Sequence, residues 1–152
     1  MNRMLSTLAV LALMSAPAFA TDQHNSAPTT QSAFSTARAK FGSASALSLN
    51  NNAVDQSNIK IGKGFVPGQT NDAPTTQSAT SNAFAKRGDA SATSVNTNEI
   101  LQSNGYLGRK SPFQSNSAPT TQSATSHAVS IGGDANALSA NSNAVSQSND
   151  RE

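Results

Sequence analysis

Glutamine and asparagine are the side chains of this sequence whose positions repeat most regularly. Each amide carries hydrogen-bond donors and an acceptor, so identical amides stacked at strand spacing can bond in a continuous row, here called an amide ladder. A buried amide in such a row is satisfied only when its neighbour is the same. Matching amides recur at intervals of 46 and then 45 residues. We therefore predict three amide ladders as self-assembly sites, made by Gln31, Gln77 and Gln122, by Gln56, Gln102 and Gln147, and by Asn58, Asn104 and Asn149.

Side chains that carry most enzyme chemistry are scarce and do not recur with the amides. His24 and His127 occupy different positions of the repeat, and the chain has no cysteine. The acidic residues stand alone, without a pair spaced for acid–base catalysis or metal coordination. The tripeptide at 132–134, Gly-Gly-Asp, is similar to one calcium-binding repeat, but a turn explains it better. We predict that the protein is not an enzyme and has no catalytic, cofactor or metal site.

Three copies of one repeat account for the regular amide positions. The motif Asn-Ser/Asp-Ala-Pro-Thr-Thr-Gln-Ser-Ala begins at Asn25, Asn71 and Asn116, and the shared cores span 25–58, 71–104 and 116–149. A fixed period of this kind predicts stacked units rather than one globular domain. The predicted organisation is a signal peptide at 1–20, repeat 1 at 21–58, a linker at 59–70, repeat 2 at 71–104, a linker at 105–115, repeat 3 at 116–149 and a tail at 150–152.

Within each repeat the side chains alternate with a period of two, which is typical of β-strands. One face after the shared glutamine holds only alanine and serine in all three copies. A glycine and an Asn-x-Asn tripeptide, at 96–98 in repeat 2, are interpreted as turns between strands. The predicted fold is all-β, with three stacked three-stranded repeats of the β-solenoid or cross-β type, although long parts could remain flexible. A helix is the alternative for alanine-rich runs, but its apolar stripe at spacings of three and four is missing.

The first twenty residues have the pattern of a secretory signal peptide. Arg3 precedes a mostly apolar run over 5–14, and small residues at Ala18 and Ala20 predict cleavage before Thr21. The apolar run is too short for a transmembrane helix, so we predict a secreted, extracellular or cell-surface protein without membrane insertion after cleavage. Removal of Arg3 leaves nine basic and eight acidic residues, a net charge of +1. Such a balance predicts no binding of nucleic acid.

The remaining chain is poor in the residues that build an ordinary hydrophobic core. From Thr21 onward, twenty of 132 residues are Leu, Ile, Val, Phe or Tyr, and none is Trp or Met. Burial of so few large side chains would not offset the entropy of ordering the chain. We therefore expect stability to come from backbone pairing and from close packing of small side chains. A stack of this kind has no intrinsic end, so its edges would recruit further chains.

The signal peptide, three imperfect repeats rich in Ala, Ser, Gly, Asn and Gln, and two dissimilar linkers together resemble the secreted functional-amyloid subunits of bacterial biofilms. The repeat–linker layout is similar to that of Fap-type subunits, and the regular Gln and Asn ladders are similar to those of curlins. The resemblance implies a structural protein that assembles into an amyloid-like fibre of a biofilm matrix or cell surface. It also implies further copies of the chain as partners, with a nucleating or companion subunit and an outer-membrane export pore.

Two other functions are open on the sequence. A β-solenoid adhesin, or an ice- or surface-binding solenoid, would use the same alternating repeats. Its binding face would be the paired threonines at 29–30, 75–76 and 120–121, laid out as flat rows. An exported low-complexity chain that stays disordered is the second alternative.

Overall fold

The computed structural model of the chain describes residues 12–14, 23–61, 68–108 and 113–151. These ranges contain ten β-strands and no helix. The strands are β1 (Ala12–Met14), β2 (Gln23–Ser26), β3 (Thr29–Ala39), β4 (Ala44–Ile61), β5 (Gln69–Asp72), β6 (Thr75–Ala85), β7 (Ala90–Leu107), β8 (Gln114–Ser117), β9 (Thr120–Ser130) and β10 (Ala135–Arg151).

Each repeat supplies a short, a medium and a long strand, which together are here called a rung. Rung 1 is β2, β3 and β4, rung 2 is β5, β6 and β7, and rung 3 is β8, β9 and β10. Strands of the same kind pair in parallel, so that the sheet orders are β1-β4-β7-β10, β2-β5-β8 and β3-β6-β9. Equivalent residues of the repeats lie directly opposite each other. The predicted all-β fold of three stacked three-stranded repeats is confirmed.

The rungs form two facing layers. The long strands make one layer, and the short and medium strands, which follow one another, make the other layer. Pro28, Pro74 and Pro119 fall in the two-residue breaks between short and medium strands, where a missing N–H removes no bond of the sheet. The chain then reverses at a turn that contains Gly42 in rung 1 and Gly88 in rung 2, both with positive φ. The side chains that alternate toward the partner layer are therefore enclosed between two sheets.

The interior is built from small and polar side chains. Near the turn, the core consists of alanines such as Ala46, Ala83 and Ala92. Farther from the turn, Val54 and Ile100 pack against Ala27 and Ala73. The predicted alanine and serine face is confirmed in rung 2, where Ala79, Ser81, Ala83 and Ala85 are all buried.

The interpretation of the Asn-x-Asn tripeptides as turns is wrong. Residues 50–52, 96–98 and 141–143 lie in the middle of the uninterrupted strands β4, β7 and β10. The outer two asparagines of each tripeptide point into the interior, where their amides hydrogen-bond to neighbouring rungs. These bonds replace the local contacts with its own backbone that asparagine would make in a turn. The third strand of each rung is instead the short one, which precedes the proline.

The strands continue into both predicted linkers. β4 extends to Ile61 and β5 begins at Gln69, while residues 62–67 of the predicted linker 59–70 lie outside the described residues. Of the predicted signal peptide, only Ala12–Met14 is described, and it forms β1. This three-residue strand pairs in parallel with residues 53–55 of β4. The predicted cleavage site before Thr21 lies outside the described residues.

Candidate assembly site: amide ladders and the edges of the stack

The three ladders predicted from the sequence are brought together as continuous rows of hydrogen bonds. Gln77 Nε2 donates to Gln31 Oε1 at 2.7 Å, and Gln122 donates to Gln77 at 2.7 Å. In the second ladder, Gln102 donates to Gln56 at 2.8 Å and Gln147 to Gln102 at 2.7 Å. In the third, Asn58 donates to Asn104 and Asn104 to Asn149, both at 3.0 Å. All nine residues therefore link the three rungs of one chain.

The structure contains four further amide ladders that were not predicted from the sequence. Their signal was present, because the same amide recurs at the same intervals and on the same strand face as the predicted ones. In three of these sets the sequence places the asparagines in predicted turns or at the start of the repeat, where no ladder is expected. The glutamine set lies just before the recognised motif. The four ladders are Gln23, Gln69 and Gln114; Asn25, Asn71 and Asn116; Asn50, Asn96 and Asn141; and Asn52, Asn98 and Asn143.

A second hydrogen of many ladder amides bonds across the interior to the other layer. Gln77 Nε2 donates to the carbonyl of Thr97 at 2.9 Å, and Asn96 Nδ2 donates to the carbonyl of Ser123 at 2.7 Å. Because a backbone carbonyl can only accept, the NH2 group of the side-chain amide must face it and the amide oxygen must face the ladder, so this bond fixes the orientation of the amide. These amides are almost fully buried, and their desolvation is offset only by such complete pairing.

The glutamine and asparagine ladders run in opposite directions. Each glutamine donates to the glutamine of the preceding rung, as Gln77 does to Gln31. Each asparagine donates to the asparagine of the following rung, as Asn50 does to Asn96. The two edges of the stack therefore carry different groups. The rung 3 edge ends in asparagine donors and glutamine acceptors, and the rung 1 edge ends in the opposite arrangement.

The two layers are offset, so that each long strand bonds to its own rung and to the next. Ser48 of rung 1 donates to the carbonyl of Thr80 in rung 2 at 2.6 Å, and Ser94 repeats this bond to Thr125 in rung 3 at 2.7 Å. The long layer consequently extends beyond the short-and-medium layer at rung 3. At rung 1 the short-and-medium layer is the one that extends. Each end of the stack is a step rather than a flat surface.

The edge formed by rung 3 is open to solvent. Alternate residues of β7 are buried, whereas every residue of β10 is exposed although its sequence is equivalent. Asn141 and Asn143 each accept a bond from rung 2, but their own Nδ2 groups donate to no described residue. The asparagine ladders of the interior therefore stop at β10 with donors still available.

The threonine face of the surface-binding alternative is not formed as predicted. Thr29 and Thr75 are buried between the layers, because neighbouring residues of a strand point to opposite faces. Thr30, Thr76 and Thr121 remain exposed as a single row on the medium-strand sheet. A flat face that is two threonines wide is therefore absent from these strands.

No protein-family model, curated protein or solved structure matches this chain.

The two histidines do not share a site. His24 is exposed on β2, and His127 lies on the outer face of β9. Thr36, Asn82 and His127 are the equivalent residues of the three rungs and form one column across the sheet. Phe84 and His127 line a shallow outer groove on this sheet. Within residues 12–14, 23–61, 68–108 and 113–151, no three His, Asp or Glu side chains cluster in a way that could hold a metal ion. In the same ranges no helix is long and apolar enough to cross a membrane.

The buried polar groups of the described ranges are all uncharged, which predicts that the fold tolerates changes of pH. They belong to Gln, Asn, Ser and Thr side chains and to Tyr106, and no Asp, Glu, Lys, Arg or His of these ranges is buried. We expect the far-ultraviolet circular dichroism of the folded chain to stay constant from about pH 4 to about pH 9, because folding encloses no charged side chain of these ranges between the layers. A cooperative loss of the β-sheet signal within this range would contradict an interior held by neutral amides.

Proposed function

We propose that this protein is a secreted, self-assembling structural protein, the subunit of an amyloid-like fibre in an extracellular biofilm matrix or on a cell surface. The observation that carries the proposal is the set of seven amide ladders that run through all three rungs and end at an open edge. An amide at the end of a ladder is best satisfied by an identical amide one rung further. The next rung is most simply supplied by another copy of the same chain.

The exposed edge strand β10 supports assembly rather than a closed fold. An unpaired sheet edge recruits further strands unless charge, proline or a covering segment blocks it. β10 carries charged residues only at Asp150 and Arg151, next to its end, and no proline. Its seventeen residues thus offer a long, nearly uncharged template for parallel pairing.

Export and the remaining partners belong to the same proposal. The signal-peptide pattern at 1–20 supports secretion, and the resemblance to functional-amyloid subunits supports a biofilm or surface role. A nucleating or companion subunit and an outer-membrane export pore are the partners that such a role requires. The proposed function involves no catalysis and no nucleic acid.

Fibre growth from the purified chain tests the proposal. We expect the chain from Thr21 onward, at micromolar concentration, to show a lag and then a rise of thioflavin T fluorescence. The product should diffract with spacings near about 4.7 Å and about 10 Å, which are the strand and sheet separations of cross-β structure. Replacement of Gln31, Gln77 and Gln122 by alanine should slow growth strongly, because it removes one whole ladder.

The matched control replaces the outward row Thr30, Thr76 and Thr121 by alanine, which leaves every ladder intact. This variant should assemble at the rate of the unmodified chain. A β-rich chain that remains monomeric would contradict the fibre proposal and favour a solenoid that binds a surface. A chain without β-sheet signal would instead favour the disordered alternative.

A further inference from the structure

We propose that copies of this chain add head to tail, with rung 1 of one copy placed on rung 3 of another in the register of the repeat. In this joint, Asn143 Nδ2 of one copy donates to Thr29 Oγ1 of the next. The inference rests on the proposed function and specifies its geometry: the partner surface, its polarity and its register.

Thr29 provides the first argument, because it is a buried hydroxyl that lacks the partner of its equivalents. Thr75 Oγ1 accepts from Asn52 Nδ2 of the preceding rung at 3.3 Å, and Thr120 Oγ1 accepts from Asn98 Nδ2 at 3.2 Å. Thr29 is 8 % exposed, and its Oγ1 has no hydrogen-bond partner among the described residues. Its donor would come from the long strand of a rung before rung 1, and the described residues contain no such rung.

Asn143 is the residue that can supply this donor. It occupies the position of Asn52 and Asn98 in rung 3, and its Nδ2 would reach the threonine of a fourth rung. A buried hydroxyl without a partner is costly, and so is a donor left without an acceptor once a second copy covers it. Head-to-tail contact between Asn143 and Thr29 removes both costs at once.

The direction of the ladders provides the second argument. The rung 3 edge presents asparagine donors and glutamine acceptors, as the bonds between the rungs show. The rung 1 edge presents the complementary groups, so a head-to-tail joint continues the six ladders that begin at Asn25, Gln31, Asn50, Asn52, Gln56 and Asn58. A joint between two rung 3 edges would instead place asparagine donors against asparagine donors. The stepped ends fit in the same way, since the layer that extends at one end is the layer that is recessed at the other.

β1 provides the third argument, because it shows that the rung 1 edge accepts a parallel strand in this register. Ala12 lies opposite Ala53, and Leu13 lies opposite Val54. In the proposed joint these places belong to Ala144 and Val145 of another copy, the equivalents of Ala53 and Val54 in rung 3. An alanine and an aliphatic residue thus lie opposite Ala53 and Val54 both in β1 and in the proposed joint.

Most charged side chains of the strands meet uncharged residues in this register. Arg38 of one copy would lie beside Val129 of the other, and Asp55 beside Ser146. Lys60 would lie beside Arg151, close to the ends of β4 and β10, and this is the one like-charge pair that the joint creates along the described strands. Both side chains lie at the solvent-accessible end of the long strands, where repulsion at about 4.8 Å is screened by water.

Disulfide cross-linking tests polarity and register together. Ser57, Ser103 and Ser148 are exposed and occupy one column of the long-strand sheet. Within one chain, Ser57 and Ser148 are two rungs apart, about 9.6 Å, which is too far for a disulfide, whereas the joint brings them to about 4.8 Å. The chain has no cysteine of its own, so every cross-link reports an introduced pair.

We expect oxidised fibres of the double variant S57C/S148C to yield a reducible ladder of trimers and longer oligomers on denaturing gels. The single variants S57C and S148C should stay uncross-linked, since like residues are three rungs apart in a head-to-tail fibre. S57C/S103C, with both cysteines in adjacent rungs of one chain, should form the intrachain disulfide and serves as the positive control. Fibres that form without the oligomer ladder would overturn the head-to-tail joint while leaving the fibre function intact. Absence of fibres would overturn both.

Thr29→Val tests the contact between Asn143 and Thr29. Valine keeps the shape but removes the hydroxyl, which has no partner within the described chain, so the β-sheet signal of the monomer should not fall. We expect the concentration of soluble chain in equilibrium with fibres to rise about threefold to tenfold, the worth of one hydrogen bond. Thr30→Val, at the exposed neighbouring position, should leave this concentration unchanged. Equal values for the two variants would refute the contact.

Gly42→Ala tests the same joint on the turn side. A Cβ at Gly88 would lie 2.4 Å from the carbonyl oxygen of Gly42, and one at Gly133 would lie 2.5 Å from that of Gly88. A Cβ at Gly42 meets nothing within 4 Å in the single chain, but in the joint it would face Gly133 of another copy. We therefore expect Gly42→Ala to fold and to lose fibre growth at least about tenfold.

Gly132→Ala is the control for this variant, because Gly132 has nearly the same φ, 83° against 86°, and equally open surroundings. The equivalent positions of rungs 2 and 1 are Arg87 and Phe41, so the stack already accommodates side chains larger than a methyl group at this position. We expect Gly132→Ala to assemble like the unmodified chain. If Gly42→Ala assembles equally well, rung 1 is not placed on rung 3 and the proposed joint is refuted.

Discussion

Replacement of Gly88 by alanine is expected to abolish the stacked fold. A Cβ at this position would lie 2.4 Å from the carbonyl oxygen and 2.6 Å from the carbonyl carbon of Gly42, which belongs to the backbone of the neighbouring rung. The φ of Gly88 is 130°, a backbone conformation that residues with a Cβ rarely adopt. The steric overlap can be relieved only by separating two rungs that are held at strand spacing. Together these effects should cost about 4 kcal/mol or more.

Far-ultraviolet circular dichroism and urea denaturation of the chain from Thr21 onward measure this loss. The variant should show little β-sheet signal, or a transition at much lower urea than the unmodified chain. Gly132→Ala provides the comparison, since its φ of 83° carries backbone strain but no close contact. It should cost only about 1 kcal/mol. A Gly88 variant as stable as the Gly132 variant would show that the rungs are not in contact at the turn.

Replacement of Asn96 by leucine should have the second largest effect. Asn96 is fully buried and accepts from Asn50, donates to Asn141, and donates to the carbonyl of Ser123, at 2.9, 2.9 and 2.7 Å. Leucine has the same number of side-chain heavy atoms and the same branching at Cγ, so the substitution removes these bonds without opening a cavity. Asn50 loses an acceptor and the Ser123 carbonyl loses a donor inside the stack. We expect a loss of about 3 to 5 kcal/mol.

Thr97 offers a matched control for Asn96 because it is the next residue of the same strand. Its side chain is exposed, and only its backbone carbonyl takes part in the interior, as the acceptor for Gln77. Thr97→Ala should change the free energy of unfolding by no more than about 0.5 kcal/mol. If both substitutions shift the urea midpoint equally, the stability does not depend on the amide ladders.

The sequence alone predicts the repeat, its register and the alternation of buried and exposed faces. These follow from spacing, because equal amides at intervals of 46 and 45 residues can be satisfied together only if the copies stack. The spacing predicts the ladders of Gln77 and Gln102, and the structure contains both. Their partners in the other layer could not be predicted, since the offset that aims Asn96 at Ser123 arises only when two sheets pack.

Local preference was misleading at the Asn-x-Asn tripeptides. Asparagine favours turns in isolation, and nothing in the sequence around 96–98 outweighs that preference within one repeat. The contact that decides is between repeats, because Asn98 bonds to Asn52 and to Asn143 in the adjoining rungs. The paired threonines illustrate the opposite difficulty. In the sequence, Thr75 and Thr76 predict a flat surface that is two threonines wide, but Thr75 faces inward once the strand is formed.

The pairing of β1 with β4 has a consequence for when polymerisation can begin. Ala12–Met14 belongs to the predicted signal peptide and occupies the part of β4 where another copy would dock. While this segment is paired with β4, rung 3 of another copy cannot pair with the same residues at 53–55. If residues 1–20 are removed by signal peptidase during the proposed export, this part of β4 is freed only as the chain crosses the membrane. Cleavage of this segment, rather than the concentration of the chain, would then determine when and where fibre growth can begin.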